Sequence, residues 1–281
     1  MIKETFTIEQ LSEGFFELFE DGTIQKMDPK RLKNPMEDPN LGKYSSALGI
    51  DPLLISTGEQ NIIIDPGLGW GLDHTSKFED TSNVITNLKI FGLRPEDIDH
   101  VILSHLHFDH VAGSTFVNDR FETRPTFPNA VYYVHSDEWD YALTQIDQQP
   151  ELIGADYRLD ELYKLVAEKR LHFVEDDEYI VTPGVEMIKT GGHTPGHSIV
   201  RIEDSQAVSY FMGDLIPTEF HLNRPSHPQT VLDSAQVQQT KKLILRKAYQ
   251  EKATMYFYHS LYKKTGQLSL DEKRRYILKD G

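Results

Sequence analysis

The sequence contains no cysteine. A chain without cysteine can form no disulfide bond, and it can offer neither a thiolate metal ligand nor a thiol nucleophile. Any metal ion would therefore be held by histidine, aspartate, glutamate or backbone oxygen atoms.

Long apolar runs and an excess of positive charge are also missing. No apolar run approaches the roughly 18 residues of a membrane-spanning helix. The opening residues MIKETFTIEQLSEGFF lack the uninterrupted apolar stretch of a secretory signal peptide. The 29 lysines and arginines are outnumbered by 44 aspartates and glutamates, and the formal charge of −15 repels a phosphate backbone. We therefore expect a cytoplasmic protein that binds neither membrane nor nucleic acid.

The 281 residues, 38% of them hydrophobic, are enough to bury a substantial core. Strand-like segments such as PLLIST, NIIID, AVYYVH and AVSYF alternate with helical patterns at about 76–91, from 136, at 159–170 and at 231–252. Tight turns join several neighbouring strands, which favours mixed or antiparallel sheets with helices outside. We predict one domain over 1–281, with a surface arm at about 21–49.

The most informative segment is SHLHFDH at 104–110, which directly follows the apolar run VIL. Residues two apart in an extended loop point the same way, so His105 and His107 can converge on one ion. Asp109 and His110 come later and can turn toward a second position. A polar loop with solvated histidines is the alternative, but four ligand-type residues at this spacing favour a metal site.

Three further ligand-type residues follow predicted strands. His193 lies in GGHTPGHS after VEMIKT, Asp214 follows AVSYFMG, and His259 follows TMYFY. Loops at strand ends are where rigid scaffolds place chemistry. We expect these residues to join the first cluster.

The ordered set NIIIDPG, SHLHFDHVAG, GGHTPGHS, GDLIPT and a late strand-end histidine resembles the metallo-β-lactamase superfamily over nearly the whole chain. The resemblance implies an α/β (α+β) fold, an αβ/βα sandwich of two mixed sheets with outer helices. It also implies two divalent ions, zinc being expected and manganese or iron the alternatives. The implied ligands are His105, His107 and His193 for one ion, Asp109, His110 and His259 for the other, and Asp214 bridging both. Asp65 and His197 are expected to support these ligands from behind.

The same residues indicate a branch of the superfamily. Flavodiiron proteins resemble this pattern but carry a glutamate where His107 stands, so the imidazole favours hydrolysis over redox chemistry. True β-lactamases lack the bridging carboxylate that Asp214 supplies. SHLHFDHVAGS and GDLIPTEFHL look closest to quorum-quenching lactonases and methyl parathion hydrolases. The implied reaction is cleavage of an ester or lactone, such as an acyl-homoserine lactone, by a hydroxide shared between the two ions, with Asp109 and Asp214 as catalytic residues.

One position departs from the lactonase pattern. The best-known acyl-homoserine lactonases place a tyrosine three residues after the bridging aspartate, and this chain has Pro217 there. We predict that His221, in EFHLNRPSHP, takes the catalytic role of that tyrosine. The alternative is a surface histidine or one that only supports its neighbours.

Other functions remain open at the level of sequence. A thioesterase of the glyoxalase II type shares the motif, as does a phosphotriester-active hydrolase, and a metal-binding scaffold without turnover is the non-enzymatic alternative. The expected partner is a small-molecule substrate. The aromatic run FFELF near the N-terminus is expected to pack in the core, with a homodimer interface as the alternative.

Overall fold

The computed structural model describes residues 5–19, 23–28, 30, 45–148, 157–224 and 231–279. Within them the strands are β1 Thr7–Gln10, β2 Gly14–Phe19, β3 Ile24–Lys26, β4 Ser45–Ile50, β5 Leu53–Ser56, β6 Asn61–Ile64, β7 His100–Ile102, β8 Thr115–Val117, β9 Thr123–Pro125, β10 Val131–His135, β11 Leu171–Val174, β12 Glu178–Thr182, β13 Val185–Lys189, β14 Ser198–Glu203, β15 Val208–Phe211, β16 Thr254–Tyr256, β17 Thr265–Leu270 and β18 Tyr276–Lys279. The α-helices are α1 Val84–Leu88, α2 Phe108–Val111, α3 Ser136–Gln148, α4 Tyr163–Ala167 and α5 Ser234–Glu251.

Two large mixed sheets dominate the structure. The first has the strand order β1-β5-β6-β7-β10-β11, and the second has the order β12-β13-β14-β15-β16-β17-β18. The pairs β6–β7, β7–β10 and β10–β11 are parallel in the first sheet, and β15–β16 is parallel in the second. Two small sheets, β3-β2-β4 and β8-β9, lie outside this arrangement.

The alternation of side chains along β6 shows how the layers are built. Successive residues of a strand point to opposite faces of its sheet. Ile62 and Ile64 pack in the apolar cluster that also holds Val200 and Phe211 of the second sheet. Ile63, between them, packs in a different cluster on the outer face. A strand that is apolar on both faces is therefore covered on both sides, as β6 is.

The two outer faces are covered by helices. Leu88 of α1 and Leu165 of α4 pack with Ile63 against the first sheet. Val237 and Leu245 of α5 pack against the second sheet. The resulting order of layers is helix, sheet, sheet, helix, and this confirms the predicted αβ/βα sandwich. No helix among the described residues is long and apolar enough to cross a bilayer.

The predicted helix at 76–91 is wrong over its first half. Helix α1 begins only after Asn83, whose side-chain oxygen accepts the backbone N–H of Thr86 at 3.0 Å. The Thr86 hydroxyl in turn accepts the N–H of Asn83 at 2.9 Å, which completes a capping box. The residues before Asn83 form turns, and Phe78 stacks on Trp70 with 4.1 Å between ring centroids. Helix α4 is likewise shorter than the predicted 159–170.

Most of the predicted arm at 21–49, residues 31–44, lies outside the described residues. Its two ends are strands β3 and β4, which both pair with β2 in the small three-stranded sheet. Phe16 of the FFELF run is fully buried in the cluster between the large sheets. The prediction of a core role is confirmed for this residue.

The topology brings five loops to one edge of the sandwich. Parallel strands end at the same edge, so the loops after β6 and β7 lie together. Strands β13 and β15 each run antiparallel to β14 and therefore parallel to one another, and β16 is parallel to β15. The loops that follow β6, β7, β13, β15 and β16 carry all of the predicted metal ligands.

Candidate metal centre

One group of side chains converges at this edge from three loops. His105, His107, His193 and Asp214 each offer an atom within 4.8 Å of the others. His107 Nδ1 lies 2.9 Å from His105 Nε2 and 3.1 Å from His193 Nε2, and His193 Nε2 lies 3.3 Å from Asp214 Oδ2. Three imidazole nitrogens and one carboxylate oxygen thus face a common point.

A second group lies directly beside the first. Asp109, His110 and His259 also offer atoms within 4.8 Å of one another. His110 Nε2 lies 3.1 Å from His259 Nε2, and Asp109 Oδ2 lies 3.5 Å from the latter atom. The other oxygen of Asp214, Oδ1, approaches His259 Nε2 to 3.3 Å and His110 Nε2 to 3.5 Å. Asp214 therefore contacts both groups, one with each oxygen.

Asp65 supports both groups from behind. Its Oδ2 accepts hydrogen bonds from His110 Nδ1 at 2.7 Å and from the Ser104 hydroxyl at 2.6 Å, while Oδ1 accepts the Ser104 N–H at 2.7 Å. Because the hydroxyl proton goes to Asp65, Ser104 Oγ accepts from His105 Nδ1, 3.0 Å away. Asp65 has a positive φ of 50° and is fully buried. Such backbone strain is kept where the surrounding structure holds it and is typical of functional sites.

These contacts fix which ring nitrogen carries the proton. The Nδ1–H groups of His105 and His110 are donated to Ser104 and Asp65, and Nδ1 of His259 lies 2.9 Å from the Gly49 carbonyl. The Nε2 atoms of His105 and His110 are then lone pairs that face the cluster, and Nε2 of His259 becomes one when its proton is lost, which is how histidines are oriented behind metal sites.

His197 supports Asp214. Its Nε2 accepts the backbone N–H of Asp214 at 2.9 Å, and its Nδ1 lies 2.6 Å from the Thr190 hydroxyl. Burial lowers the pKa of His197 to about 3, so the ring stays a neutral acceptor. Gly213 precedes Asp214 with a φ of 45°, and a Cβ there would lie 2.8 Å from His197 Nε2. Only glycine fits this close approach.

The charge states suit a cation. Burial, helped by neighbouring imidazoles, holds the pKa values of His105 and His107 well below their usual range, so both rings are neutral. Burial opposes ionisation of Asp214, yet His259, His110 and His193 hold its pKa well below its usual range. Burial acts to lower the pKa of His259, but Asp214 and Asp109 outweigh it and raise the pKa to about 9. A cation in the cluster would take the place of that proton.

The donor set also fits a divalent ion in its geometry. Nitrogen ligands at about 2.0–2.1 Å from a tetrahedral zinc stand roughly 3.3 Å apart, close to the 2.9 and 3.1 Å separations around His107. Asp214 Oδ1 is buried and forms no hydrogen bond of good geometry with the described residues. Imidazole and carboxylate donors suit zinc, manganese and iron alike.

His221 lies beside the cluster but belongs to neither group. Thr218 Oγ1 lies 2.7 Å from its Nδ1. Burial lowers the pKa of the ring, and the charges of Asp214 and His259 reach it. The buried ammonium group of Lys241 donates to the His221 carbonyl at 3.0 Å and to the Arg224 carbonyl at 2.5 Å. The histidine is therefore held at the rim by a helix behind it.

The loop after Asp214 is tied to the loop that carries His259. The His259 N–H donates to the carbonyl of Pro217 at 3.0 Å. Glu219 Oε2 accepts the Ser260 hydroxyl at 2.6 Å, and its Oε1 accepts the Lys263 N–H at 3.1 Å. Where the lactonase pattern has a tyrosine, Pro217 thus supplies a backbone acceptor that positions His259.

Two supporting residues were not anticipated from sequence. Tyr258 stacks on His110 with 4.1 Å between ring centroids, and its hydroxyl donates to the Asp109 carbonyl at 2.7 Å. Glu138, on α3, accepts hydrogen bonds from the loops of His105 and His193. Tyr258 is the neighbour of His259 in the sequence, and this adjacency could have indicated its supporting role. Glu138 is remote in sequence from every predicted ligand, so no such signal existed for it.

Comparison with known proteins agrees with this geometry. The model of the metallo-beta-lactamase superfamily matches residues 47–259. An N-acyl homoserine lactonase of Bacillus cereus is 28% identical over 168 residues, which are 55% of this chain and 58% of that protein. The N-acyl homoserine lactonase AttM of Agrobacterium fabrum is 30% identical over 128 residues, or 43% of each chain. The chain therefore spans about half the length of the curated relatives it matches.

Solved structures match over the full length of the chain. A probable metal-dependent hydrolase from Staphylococcus aureus has a TM-score of 0.74 and 26% identity, covering 100% of this chain and 99% of that one. AidC, a dizinc quorum-quenching lactonase, has a TM-score of 0.72 at 20% identity, covering 100% and 96%. At the latter identity the likeness shows a shared fold.

Proposed function

The chain belongs to the metallo-beta-lactamase superfamily, and from this premise we propose that it is a metal-dependent hydrolase that cleaves a carboxylic ester or lactone. Acyl-homoserine lactones are the candidate substrates, since the relatives named above are lactonases of that class. The substrate is a small molecule on this proposal.

The observation that carries the proposal is the position of Asp214 between the two groups. Its oxygens lie 3.3 Å from His193 Nε2 on one side and 3.3 Å from His259 Nε2 on the other. A carboxylate in this position would be shared by two ions and would fix their spacing. We assign one ion to His105, His107 and His193, the other to Asp109, His110 and His259, and Asp214 to both. Zinc is the proposed metal.

When bound, a pair of divalent ions supplies Lewis acidity, which activates water at neutral pH and polarises a scissile carbonyl group. The chain's own residues position the groups that would hold these ions. Asp214 would set the spacing of the ions, and Asp109 would add a negative charge on the side of His259. Asp65 and Ser104 hold the rings of His105 and His110 so that each Nε2 faces the cluster.

His221 is the proposed contact for the substrate carbonyl or leaving group. Its Nδ1 is engaged by Thr218, and its main chain is held by Lys241, so the ring has a fixed orientation beside Asp214. A fixed hydrogen-bonding ring at the rim of a metal cluster is suited to stabilise negative charge that develops on substrate oxygen.

A lactone or ester fits better than a glutathione thioester. Glyoxalase II enzymes add a helical region with basic residues after the last metal ligand. Here the residues after His259 form β17 and β18, which extend the second sheet. The described residues after His259 thus contain no helix of that kind.

The test combines metal content with a substrate panel. The purified protein is assayed for bound zinc, manganese and iron and offered an aryl ester, a long-chain acyl-homoserine lactone, lactoylglutathione and a phosphotriester. Two ions per chain with lactone turnover supports the proposal. Turnover of the thioester alone supports the glyoxalase II reaction, and metal without turnover supports a non-catalytic scaffold. His105→Ala is expected to abolish turnover, while His74→Ala, outside both groups, serves as the control.

A further inference from the structure

A buried carboxylate lies between the loops that carry three of the proposed ligands. Glu138, the third residue of α3, has no exposed surface. No described lysine or arginine forms an ion pair with it among the contacts within 4.0 Å. It therefore lacks the partner that usually stabilises a buried acid, and its environment needs another explanation.

Four hydrogen-bond donors surround this carboxylate. Oε1 accepts the backbone N–H of Leu106 at 3.0 Å and the Tyr157 hydroxyl at 3.3 Å. Oε2 accepts the Thr194 hydroxyl at 2.5 Å and the backbone N–H of Gly196 at 3.2 Å. Both oxygens are thus fully used, each by one main-chain donor and one hydroxyl.

The donors belong to the segments that present the ligands. Leu106 is the residue between His105 and His107, and Thr194 directly follows His193. Tyr157 pairs with His107 through a backbone bridge, and the two rings lie 5.1 Å apart. One side chain therefore contacts the supports of all three histidines in the first group.

The close packing around Gly196 leaves little freedom for this arrangement. A Cβ on Gly196 would lie 2.2 Å from the Glu138 backbone nitrogen and 2.5 Å from its Cβ. The first turn of α3 is thus pressed against the loop of His193. The helix N-terminus also favours a negative charge at this position.

We propose that Glu138 is a positioning residue that holds the loops of His105, His107 and His193 in register for the first metal ion. This inference rests on the proposed metal-dependent function, and it concerns a residue that touches neither the ions nor the substrate.

The chemistry of the carboxylate defines the test variant. Glutamine keeps the size of the side chain but offers one acceptor oxygen and one NH₂ donor. Whichever way the amide turns, its NH₂ faces either the Leu106 N–H or the Gly196 N–H, and that main-chain donor loses its acceptor. Glu138→Gln therefore disturbs one of the two loops while leaving all seven ligands in place.

The matched control is Glu251→Gln. Glu251 accepts hydrogen bonds from Arg201 at 3.1 Å and from the Tyr210 hydroxyl at 2.7 Å, at the end of α5 and away from the ligand loops. Both variants lose carboxylate hydrogen bonds, but only Glu138→Gln loses them next to the ligands. A purely structural role would affect the two variants alike.

The measurement is zinc affinity, by competition of the full-length protein with a chromogenic chelator, beside the thermal midpoint. For Glu138→Gln we expect one of the two zinc ions to bind about 10- to 100-fold more weakly, with the other ion and the far-UV CD spectrum unchanged. Glu251→Gln should bind zinc as the wild type does. Equal affinity in the wild type and Glu138→Gln, or an equal loss in both variants, would overturn the inference.

Thr194→Val is the second variant, for the case that Glu138→Gln does not fold. It removes the hydroxyl that donates at 2.5 Å while keeping the shape of the side chain. We expect a loss of zinc affinity that is smaller than that of Glu138→Gln and is likewise confined to one ion. Unchanged zinc affinity would contradict the inference. A wild type that binds no metal ion would instead reject the proposed function.

Discussion

His110 Nδ1 lies 2.7 Å from Asp65 Oδ2, and both side chains are fully buried. The same oxygen accepts the Ser104 hydroxyl, which contacts the ring of His105. One carboxylate at the end of β6 thus orients a histidine of each proposed ion site. The two sites are coupled through this residue from behind as well as through Asp214 from the front.

Replacing Asp65 should weaken the binding of both ions. In Asp65→Asn one carboxylate oxygen becomes an NH₂ group. That group faces either the Ser104 N–H or the two donors at Oδ2, which are the Ser104 hydroxyl and His110 Nδ1–H, and the donors that it faces lose their acceptor. We expect zinc affinity to fall about 10- to 100-fold at both sites, measured by chelator competition. Asp73→Asn, which perturbs a carboxylate that accepts the Val117 N–H outside the cluster, is the control and should bind zinc normally.

Removing the Asp214 carboxylate should lower both the metal content of the protein and its rate of turnover. Asp214→Ala deletes the carboxylate whose two oxygens face the two described groups, one oxygen toward each. We expect fewer than two ions per chain by elemental analysis, together with loss of lactone turnover. A variant that keeps two ions and full activity would show that Asp214 is not the bridging ligand.

Changes at His221 should separate turnover from metal binding. The ring belongs to neither metal group, so His221→Ala should keep two zinc ions per chain. We expect kcat for a lactone to fall about 100-fold, the range seen when one group that stabilises an oxyanion is removed. An unchanged kcat would show that His221 does not contact the substrate in the reaction.

The buried Lys241 should act through His221. Lys241→Met keeps the apolar stem but leaves the carbonyls of His221 and Arg224 without their donor. A displaced loop should lower kcat on the order of 10- to 100-fold with metal content unchanged. If His221 is the group displaced, the double variant with His221→Ala should be no slower than His221→Ala alone; additive losses would show that Lys241 acts elsewhere.

Glu13 should make the stability of the protein depend on pH. Burial raises the pKa of this carboxyl from 4.5 to about 8, against a hydrogen bond from the Leu68 N–H. Between these values the folded state binds the proton more tightly than the unfolded state does. The free energy of unfolding should therefore fall as pH rises, by up to about 1.4 kcal/mol per pH unit.

The control for this slope is Glu13→Gln, whose amide does not titrate. Denaturant unfolding of both proteins between pH 5 and pH 9 should show their stabilities diverging in favour of the variant as pH rises. Parallel profiles would mean that Glu13 is already ionised in the folded protein at neutral pH.

Sequence predicted the layers and the ligand cluster because both follow from local patterns. The apolar segment NIIID forms strand β6, and His105 and His107 lie in one group as their spacing predicts. The start of α1 was predicted too early, because the Asn83 side chain caps the N-terminus and the helix begins only at Val84.

The supports of the ligands were harder to predict, because they depend on contacts between distant segments. Glu138 occupies an ordinary helix position in sequence, and only the packing of α3 against Gly196 gives it its four donors. The extent of the domain and the presence of a homodimer stay predictions.

On the proposed function, two ions act together at Asp214. The most direct measurement is to titrate zinc into metal-free protein while following the opening of an acyl-homoserine lactone ring. We predict that turnover rises through the second equivalent of zinc and is then constant. Turnover that is complete at one equivalent, or absent at two, would contradict the account.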